Sequence, residues 1–263
     1  MAANQPVIVD ADSKPLEVCD INFSDLMDAL AKGYDDFTAM PSHAVFLVVV
    51  YPILGLIIGR FVTGQSLLPM LFPVIAGYAL VGPFAAVGLY ELSRRRELGI
   101  DASPSHVFDI LHSPALIPVV ELGVVFTLIF VSWLAAARVI YYVTFHDVMP
   151  TSVDEFVHVV LSTRAGWTLA IVGNGVGFLF AVAAFSFGVV SFPLVLDTHV
   201  SASKAVSTSL RAVAANPWTM ALWGSFIAAA LALGSLPVFL GLIVVMPVLG
   251  HASWHLYRKL VRH

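Results

Sequence analysis

Three carboxylates lie within or at the ends of long apolar segments, where an ionisable side chain is costly unless it is paired or functional. Glu91 and Asp197 come at the ends of two such segments, near Arg94 to Arg96 and Lys204, whereas Glu121 falls several residues inside a third. The Glu121 carboxyl could relay protons or bind a cation, or it could pair with an arginine at the end of a neighbouring helix. Both interpretations of Glu121 stay open.

Four histidines fall near the ends of apolar segments, and two of them have a spacing that suits a pair of ligands. His251 and His255 are four residues apart and so share one face of a helix, while the other two are His43 and His199. Such a pair can bind a metal ion, or one member can ligate haem. No cysteine accompanies them, and the sequence lacks the deep histidines of an oxidase core. We therefore expect hydrogen-bonding groups at helix ends, with no metal and no cofactor.

A second polar cluster surrounds Pro150 and could hold a divalent metal, although a solvated loop is the simpler interpretation. Its members are His146, Asp147, Asp154, Glu155 and His158. The last three fall on a possible short amphipathic helix.

The stretch from Gly173 to Gly177, which reads Gly-Asn-Gly-Val-Gly, has the glycine content of a nucleotide-binding loop. No strand precedes it and it lies inside an apolar segment, so nucleotide binding is not predicted. Its glycines instead form a small-xxx-small face where helices approach closely, and Asn174 is expected to hydrogen bond between helices. Catalytic motifs of the HExxH, GxSxG and CxxC types are absent, which disfavours an enzyme.

The elements that position these residues follow from the composition. The chain is 59% hydrophobic and only 11% charged, against roughly a quarter charged in soluble domains. Residues 165–196 and 212–250 contain no charge at all, and a membrane-spanning helix needs only about 20 apolar residues. A net charge of −4 without a basic stripe excludes nucleic-acid binding. The sequence therefore predicts an all-α, polytopic membrane protein.

Six spans are predicted, arranged as three helical hairpins. They cover residues 43–61, 67–92, 115–140, 166–194, 217–233 and 237–257. Short interfacial helices are expected between Pro104 and Pro114 and over residues 205–214, both on the same side of the membrane.

The distribution of lysine and arginine predicts the orientation. With an even number of spans and the N-terminus inside, ten of the 13 basic residues lie on the inner side, and only Arg60, Arg138 and Arg164 lie on the outer side. Both termini are therefore expected in the cytoplasm.

An internal repeat supports the three hairpins. Prolines 83, 193 and 247 each lie in the inner half of an even-numbered span, and each is followed eleven residues later by a cation, namely Arg94, Lys204 and Arg258. Prolines and basic ends are also common in unrelated spans, so chance similarity stays open.

The first 42 residues carry eight acidic residues against two lysines and contain no apolar signal segment. We expect a disordered acidic tail over residues 1–22, an amphipathic helix over 23–42 and the membrane domain over 43–263. The apolar positions of this helix are Phe23, Leu26, Met27, Leu30, Tyr34 and Phe37, and Asn22 or Ser24 could act as the N-cap. Because its aspartates would be repelled by an anionic leaflet, docking on protein is favoured over docking on lipid. Cys19 is the only cysteine, so no intramolecular disulfide forms.

Three stretches carry a resemblance to a known family. They are residues 24–37 (SDLMDALAKGYDDF), residues 88–95 (GLYELSRR) and residues 247–258 (PVLGHASWHLYR). The chain resembles a bacterial family of integral membrane proteins of unknown function, some of whose members carry the label cytochrome c oxidase subunit. The resemblance implies a bacterial inner membrane and a respiratory association, and it implies no catalytic residues.

Two functions compete on this basis. The first is a non-enzymatic accessory or assembly partner of a membrane complex, bound to another membrane protein or to a second copy through exposed helix faces rich in glycine and alanine. The second is a small permease or channel, which should line a path with Glu121, Asn174 and Arg138. A membrane enzyme would instead need Glu91, Asp197 and His251 to converge within hydrogen-bonding distance.

Overall fold

The computed structural model describes residues 16–40, 82–146, 153–236 and 240–262, together with the single positions Gly55 and Pro73. Within these ranges the chain is almost entirely helical. The elements are β1 (Glu17–Val18), α1 (Phe23–Ala39), α2 (Gly82–Glu97), a 3₁₀ helix (Pro104–His112), α3 (Leu116–Phe145), α4 (Val153–Ser162), α5 (Arg164–Gly188), α6 (Ser191–Thr198), α7 (Ala202–Ala215), α8 (Pro217–Ser235), α9 (Leu242–Leu260) and β2 (Val261–Arg262).

Three helical segments of the described ranges are long and apolar enough to cross a membrane: α3, the combined stretch of α5 and α6, and α8. They coincide with the third, fourth and fifth predicted spans, so the prediction of transmembrane helices is confirmed. Helix α9 covers most of the sixth predicted span, but the histidines and basic residues in its C-terminal half make it less apolar than the three helical segments above. The first predicted span lies outside the described residues apart from Gly55, and α2 covers only the end of the second.

The fourth predicted span is interrupted where α5 gives way to α6, at Val189 and Val190. Pro193 has no backbone N–H and its ring crowds the carbonyl four residues earlier, so the helix cannot continue unchanged through this turn. The Ser209 hydroxyl of α7 bridges the break: it donates to the carbonyl of Ser186 at 2.7 Å and accepts from the N–H of Val190 at 3.2 Å. A buried serine thus satisfies backbone groups that the interruption exposes.

Helix α1 begins at a capping box. The Asn22 side chain accepts from the backbone N–H of Ser24 at 2.8 Å, and the Asp25 side chain accepts from the backbone N–H of Asn22 at 3.0 Å. These bonds satisfy donors that the first helical turn leaves free. The helix then packs along α9 of the same chain, with Leu26, Ala29, Gly33 and Asp36 buried.

The buried face of α1 differs from its apolar face. Phe23, Met27 and Tyr34 are 63%, 50% and 57% exposed, whereas Ala29 is completely buried. Helix α9 approaches so closely that a Cβ added at Gly33 would lie 2.5 Å from the backbone nitrogen of Ala252. Ala29 and Gly33 therefore face α9 together with Leu26, whereas Phe23, Met27 and Tyr34 point elsewhere.

The two ends of the described chain meet. β1 pairs antiparallel with β2, and the N–H of Cys19 donates to the carbonyl of Leu260 at 2.9 Å. Asn216 accepts from the N–H of Ile21 at 2.8 Å and donates to the carbonyl of Cys19 at 3.1 Å. Residues in 16–22 thus hydrogen bond to groups 195 positions or more away along the sequence, whereas disorder was expected over residues 1–22. Residues 1–15 lie outside the described ranges.

Most of the core lies where α2, α6, α7 and α9 meet beside α1. The largest completely buried side chains include Phe192, Leu92, Trp223, Trp254 and Tyr257. By contrast, only 22% of the most apolar window of α3 and 17% of that of α8 is buried. The corresponding window of α5 and α6 is 50% buried, so α3 and α8 are the spans that offer most of their surface to their surroundings.

Candidate functional site

Asp36 of α1 is the centre of a buried polar cluster, and only 4% of this residue is exposed. One carboxylate oxygen accepts from the Ser93 hydroxyl at 2.5 Å and from His255 Nε2 at 2.9 Å. The other accepts from the Arg96 guanidinium. His251 Nδ1 lies 2.7 Å from the Ser93 hydroxyl. This cluster, which we call the Asp36 clasp (Asp36, Ser93, Arg96, His251, His255), joins α1, α2 and α9.

The Asp36 clasp holds its carboxylate ionised. Burial by itself would raise the pKa of Asp36, but hydrogen bonds from His255, Ser93 and Arg96 outweigh it and lower the pKa from 3.8 to about 2. A carboxylate that accepts several bonds, one of them from a guanidinium, is stabilised in its charged form. The charge is therefore a structural part of the contact between helices.

A serine, a histidine and an aspartate within hydrogen-bonding distance invite comparison with a hydrolytic triad, but the geometry here is different. In a triad the serine hydroxyl donates its hydrogen bond to the histidine, whereas here it donates to the ionised Asp36, which can only accept. Ser93 is then left to accept from Nδ1–H of His251. Ser93 and His251 are 1% and 0% exposed, so a substrate has no route to the hydroxyl. The arrangement is a positioning network.

Glu91 and Asp197 each have their own cationic partner. The Arg94 guanidinium donates to both Glu91 oxygens at 2.9 Å, in the bidentate geometry that favours such pairs. Asp197 accepts from the Tyr257 hydroxyl at 2.9 Å and from Arg258 at 3.1 Å. The hydrogen bonds of Glu91, Asp197 and His251 run to other groups, so the convergence that a membrane enzyme would need is not formed.

The three residues expected to line a permease path point away from the interior. Glu121 and Arg138 are exposed on α3, and Asn174 is exposed on α5. Asn174 donates to the carbonyl of Ala170 in its own helix at 2.7 Å, and its expected bond between helices stays a prediction. Gly177, by contrast, faces a neighbour closely, since a Cβ there would lie 2.8 Å from the Trp133 ring.

Within the described ranges, no group of three or more His, Cys, Asp or Glu side chains is arranged so that it could hold a metal ion. His255 uses its Nε2 on Asp36, and His251 uses its Nδ1 on Ser93. Around Pro150, α4 carries Asp154, Glu155 and His158, while Asp147 lies outside the described residues, as does His43. His199 ends α6 in a left-handed conformation.

A cleft of about 440 Å³ opens beside the Asp36 clasp. Its lining residues are Lys32, Asp35, Asp36, Arg96, Glu97, His255, Arg258 and Lys259. Every lysine and arginine in this lining is within 3.1 Å of a carboxylate. The cleft thus contains matched pairs rather than an unmatched positive field that would attract an anion.

Asp36 and Ser93 are the members of the clasp that sequence reasoning missed. The signal for Asp36 was its spacing, because Leu26, Ala29, Gly33 and Asp36 recur at the three- and four-residue steps of one helical face. An aspartate on a face of small residues indicates a buried partner. No comparable local signal marks Ser93.

Comparison with curated proteins and with solved structures gives no match. Residues 71–197, from within the second predicted span to the end of α6, match a family model. The chain is therefore similar over this region to a family described as "Predicted integral membrane protein (DUF2189)", whose function is unknown.

Proposed function

We propose that this chain is a non-enzymatic accessory protein of the bacterial inner membrane, which binds a helix of another membrane protein through one face of α5. The resemblance to a family with members labelled as cytochrome c oxidase subunits makes a respiratory complex the first partner to examine. The observation that carries the proposal is the outward-facing amide of Asn174.

Asn174 lies in the middle of an exposed row on α5. The row consists of Trp167, Ile171, Asn174, Phe178 and Ala181, all of them exposed. Steps of four and three residues alternate along it, which is the spacing of helices that pack side by side. Left-handed pairs of this kind are the commonest packing of transmembrane helices.

The depth of Asn174 makes its exposure costly. It lies ten residues after Arg164, at which α5 begins, a distance of about 15 Å along the helix. A hydrocarbon core is about 30 Å thick, so the amide falls well inside it. Within the described residues its only hydrogen bond is the one to Ala170, which leaves the amide oxygen without a donor in a medium that offers none. A donor on a neighbouring helix would remove this cost.

Open space beside Asn174 supports a close approach. A Cβ added at Gly173 or at Gly175 would meet nothing within 4 Å. A partner helix could therefore bring its backbone near α5, which is how small residues act in membrane interfaces. A permease is less well supported, because Glu121, Asn174 and Arg138 are exposed rather than gathered around a path.

Site-specific photocrosslinking in intact cells tests the proposal. A photoreactive residue at Ile171, within the row, should cross-link to a different membrane protein, identified by mass spectrometry. The substitution Asn174→Leu should weaken that association by about 1 kcal/mol, roughly fivefold.

The matched control is a photoreactive residue at Leu179, which is 66% exposed on the same helix but lies outside the row. It should give much less of the same product. A cross-link only to a second copy of the chain, or a yield at Ile171 that Asn174→Leu leaves unchanged, would contradict the proposal.

A further inference from the structure

Helix α1 has three faces rather than two. One face packs on α9 through Leu26, Ala29, Gly33 and Asp36. A second is polar and contains Ser24, Asp28, Lys32 and Asp35. The third, which we call the apolar row, consists of Phe23, Met27 and Tyr34. At 3.6 residues per turn the apolar row spans about 40° and lies roughly 120° from each of the other faces.

The apolar row is well exposed, since its three side chains are 63%, 50% and 57% accessible. Single exposed apolar residues are ordinary on protein surfaces. Three large ones aligned on one helix, between a protein face and a water face, form the pattern of a helix that lies in a membrane interface.

The position of α1 places the apolar row beside the lipid-facing surface of a span. The Thr219 hydroxyl in the first turn of α8 donates to the carbonyl of Ile21, just before α1 begins, at 3.2 Å. Next to it Trp218 is 84% exposed, and Leu222 and Phe226 continue the same line at 53% and 44%. An exposed tryptophan at the start of a span is typical of the membrane–water boundary. The start of α1 thus lies beside the start of α8, where this exposed apolar line begins.

Three of the four aspartates of α1, namely Asp25, Asp28 and Asp36, are paired with cations of the same chain. Lys259 lies 2.9 Å from Asp25 and 3.0 Å from Asp28, and Lys32 also lies 3.0 Å from Asp28. Asp36 is held by Arg96 and His255. Repulsion from an anionic leaflet, which the sequence alone suggested, is therefore largely offset by cations of the same chain.

We propose that α1 lies on the membrane surface with Phe23, Met27 and Tyr34 inserted at the boundary between lipid headgroups and acyl chains. Lipid, and not a protein partner, then covers the third face of the helix. This position of α1 at the membrane surface is independent of the proposed association through α5. The apolar row lies on α1 and is covered by lipid, whereas the row around Asn174 lies on α5 and binds a partner helix.

Fluorescence quenching in vesicles tests this proposal on the full chain. Cys19 is replaced by serine, and a single cysteine is introduced by Tyr34→Cys or by Met27→Cys and labelled with an environment-sensitive fluorophore. The protein is reconstituted in phosphatidylcholine and phosphatidylglycerol vesicles. Acyl-chain-brominated lipids should quench both labels several-fold more than a label at Asp35→Cys, one residue from Tyr34 but on the polar face, while aqueous iodide should show the reverse order.

Each alternative result has a definite meaning. Equal quenching of the labels at positions 34 and 35 by iodide would show that the apolar row faces water, which overturns the proposal. Weak quenching of positions 27 and 34 by both lipid and iodide would show that protein covers the row, which also overturns it. A cross-linking failure at Ile171 would leave these measurements unaffected.

Discussion

At Asp36 a single carboxylate of α1 receives hydrogen bonds from side chains of both α2 and α9. It is almost fully buried, so the bonds to Ser93, His255 and Arg96 replace the water that the charge would otherwise bind. Removing this carboxylate leaves the Arg96 guanidinium and the His255 imidazole without their acceptor. The resulting loss of folding free energy is larger than the net contribution of the hydrogen bonds themselves.

We therefore expect Asp36→Asn to lower the free energy of unfolding by about 1 to 3 kcal/mol. The amide keeps the volume of the side chain but loses the charge that balances Arg96. Thermal unfolding in detergent, followed by circular dichroism, measures the difference. The control is Asp35→Asn, an exposed neighbour, which should change stability by no more than about 0.5 kcal/mol. Equal effects of the two substitutions would contradict the structural role of Asp36.

The same residue predicts a dependence on pH. Its pKa is about 2 in the folded protein and 3.8 in its ordinary state, so the unfolded chain binds the proton more readily. The stabilisation is fully present above about pH 4 and is lost as the pH falls towards 2, by about 2 kcal/mol in total. The difference in stability between the native chain and Asp36→Asn should narrow over this window in acid denaturation. A difference that stays constant from pH 5 to the acid limit would contradict the prediction.

Residue-scale prediction from the sequence succeeded where the partner was local. Glu91 was placed near arginines three and four residues away, and Arg94 does bind it. Asp36 and Ser93 are 57 positions apart, and His255 is 219 positions from Asp36. Only the packing of α1 on α2 and α9 brings these groups together, so the local spacing marks Asp36 as buried but does not identify its partners.

At the scale of elements, the contact between α1 and α9 depends on the absence of a side chain at Gly33. A Cβ there would lie 2.5 to 2.7 Å from backbone and Cβ atoms of Ala252. Backbone cannot rotate aside as a flexible side chain would, so the two helices must separate to admit even a methyl group.

We expect Gly33→Ala to destabilise the protein by about 1 to 3 kcal/mol, although alanine is the better helix former. Gly173→Ala is the matched control, because it is also within a helix and its Cβ would meet nothing within 4 Å. The control should be neutral or slightly stabilising in the same thermal unfolding assay. A Gly33→Ala variant as stable as the control would show that α1 and α9 do not pack this closely.

The positions of the helices were largely predicted from the sequence, whereas the faces that these helices bury were not. Asn22 was one of two predicted caps of α1 and is the one that acts. The apolar side chains of α1 suggested a single docking face, but only Leu26 of them is buried, beside Ala29 and Gly33, because small side chains allow the close packing on α9. The break between α5 and α6 was not predicted either, since Pro193 alone does not reveal whether a helix bends or stops.

At the scale of the molecule, the pairing of β1 with β2 constrains the topology. Val18 faces Val261 across this pair, so the two ends of the described chain lie on the same side. Whatever the number of spans, the chain between these residues crosses the membrane an even number of times. Six predicted spans satisfy this condition, although the described residues establish only three of them.

The repeat of three hairpins remains a prediction at this scale. Pro83, Pro193 and Pro247 lie in α2, α6 and α9, and α2 contacts both of the other helices. The cations that follow these prolines form different kinds of ion pair. Arg94 pairs with Glu91 within its own helix, whereas Arg258 pairs with Asp197 of α6.

The shared side is expected to be the cytoplasm, because ten of the 13 lysines and arginines fall there when the termini are inside. The clasp and its cleft would then face the cytoplasm as well, since Lys32, Arg96, Arg258 and Lys259 surround them.

Two reporters fused after His263 test this orientation. A fluorescent protein that matures only in the cytoplasm should be bright, and a phosphatase active only in the periplasm should be inactive. The same pair in the loop after Glu97 should behave identically, while a fusion between α4 and α5, at Thr163, should reverse both signals. Phosphatase activity at His263 would overturn the orientation, and opposite signals at His263 and after Glu97 would overturn the assignment of both to one side.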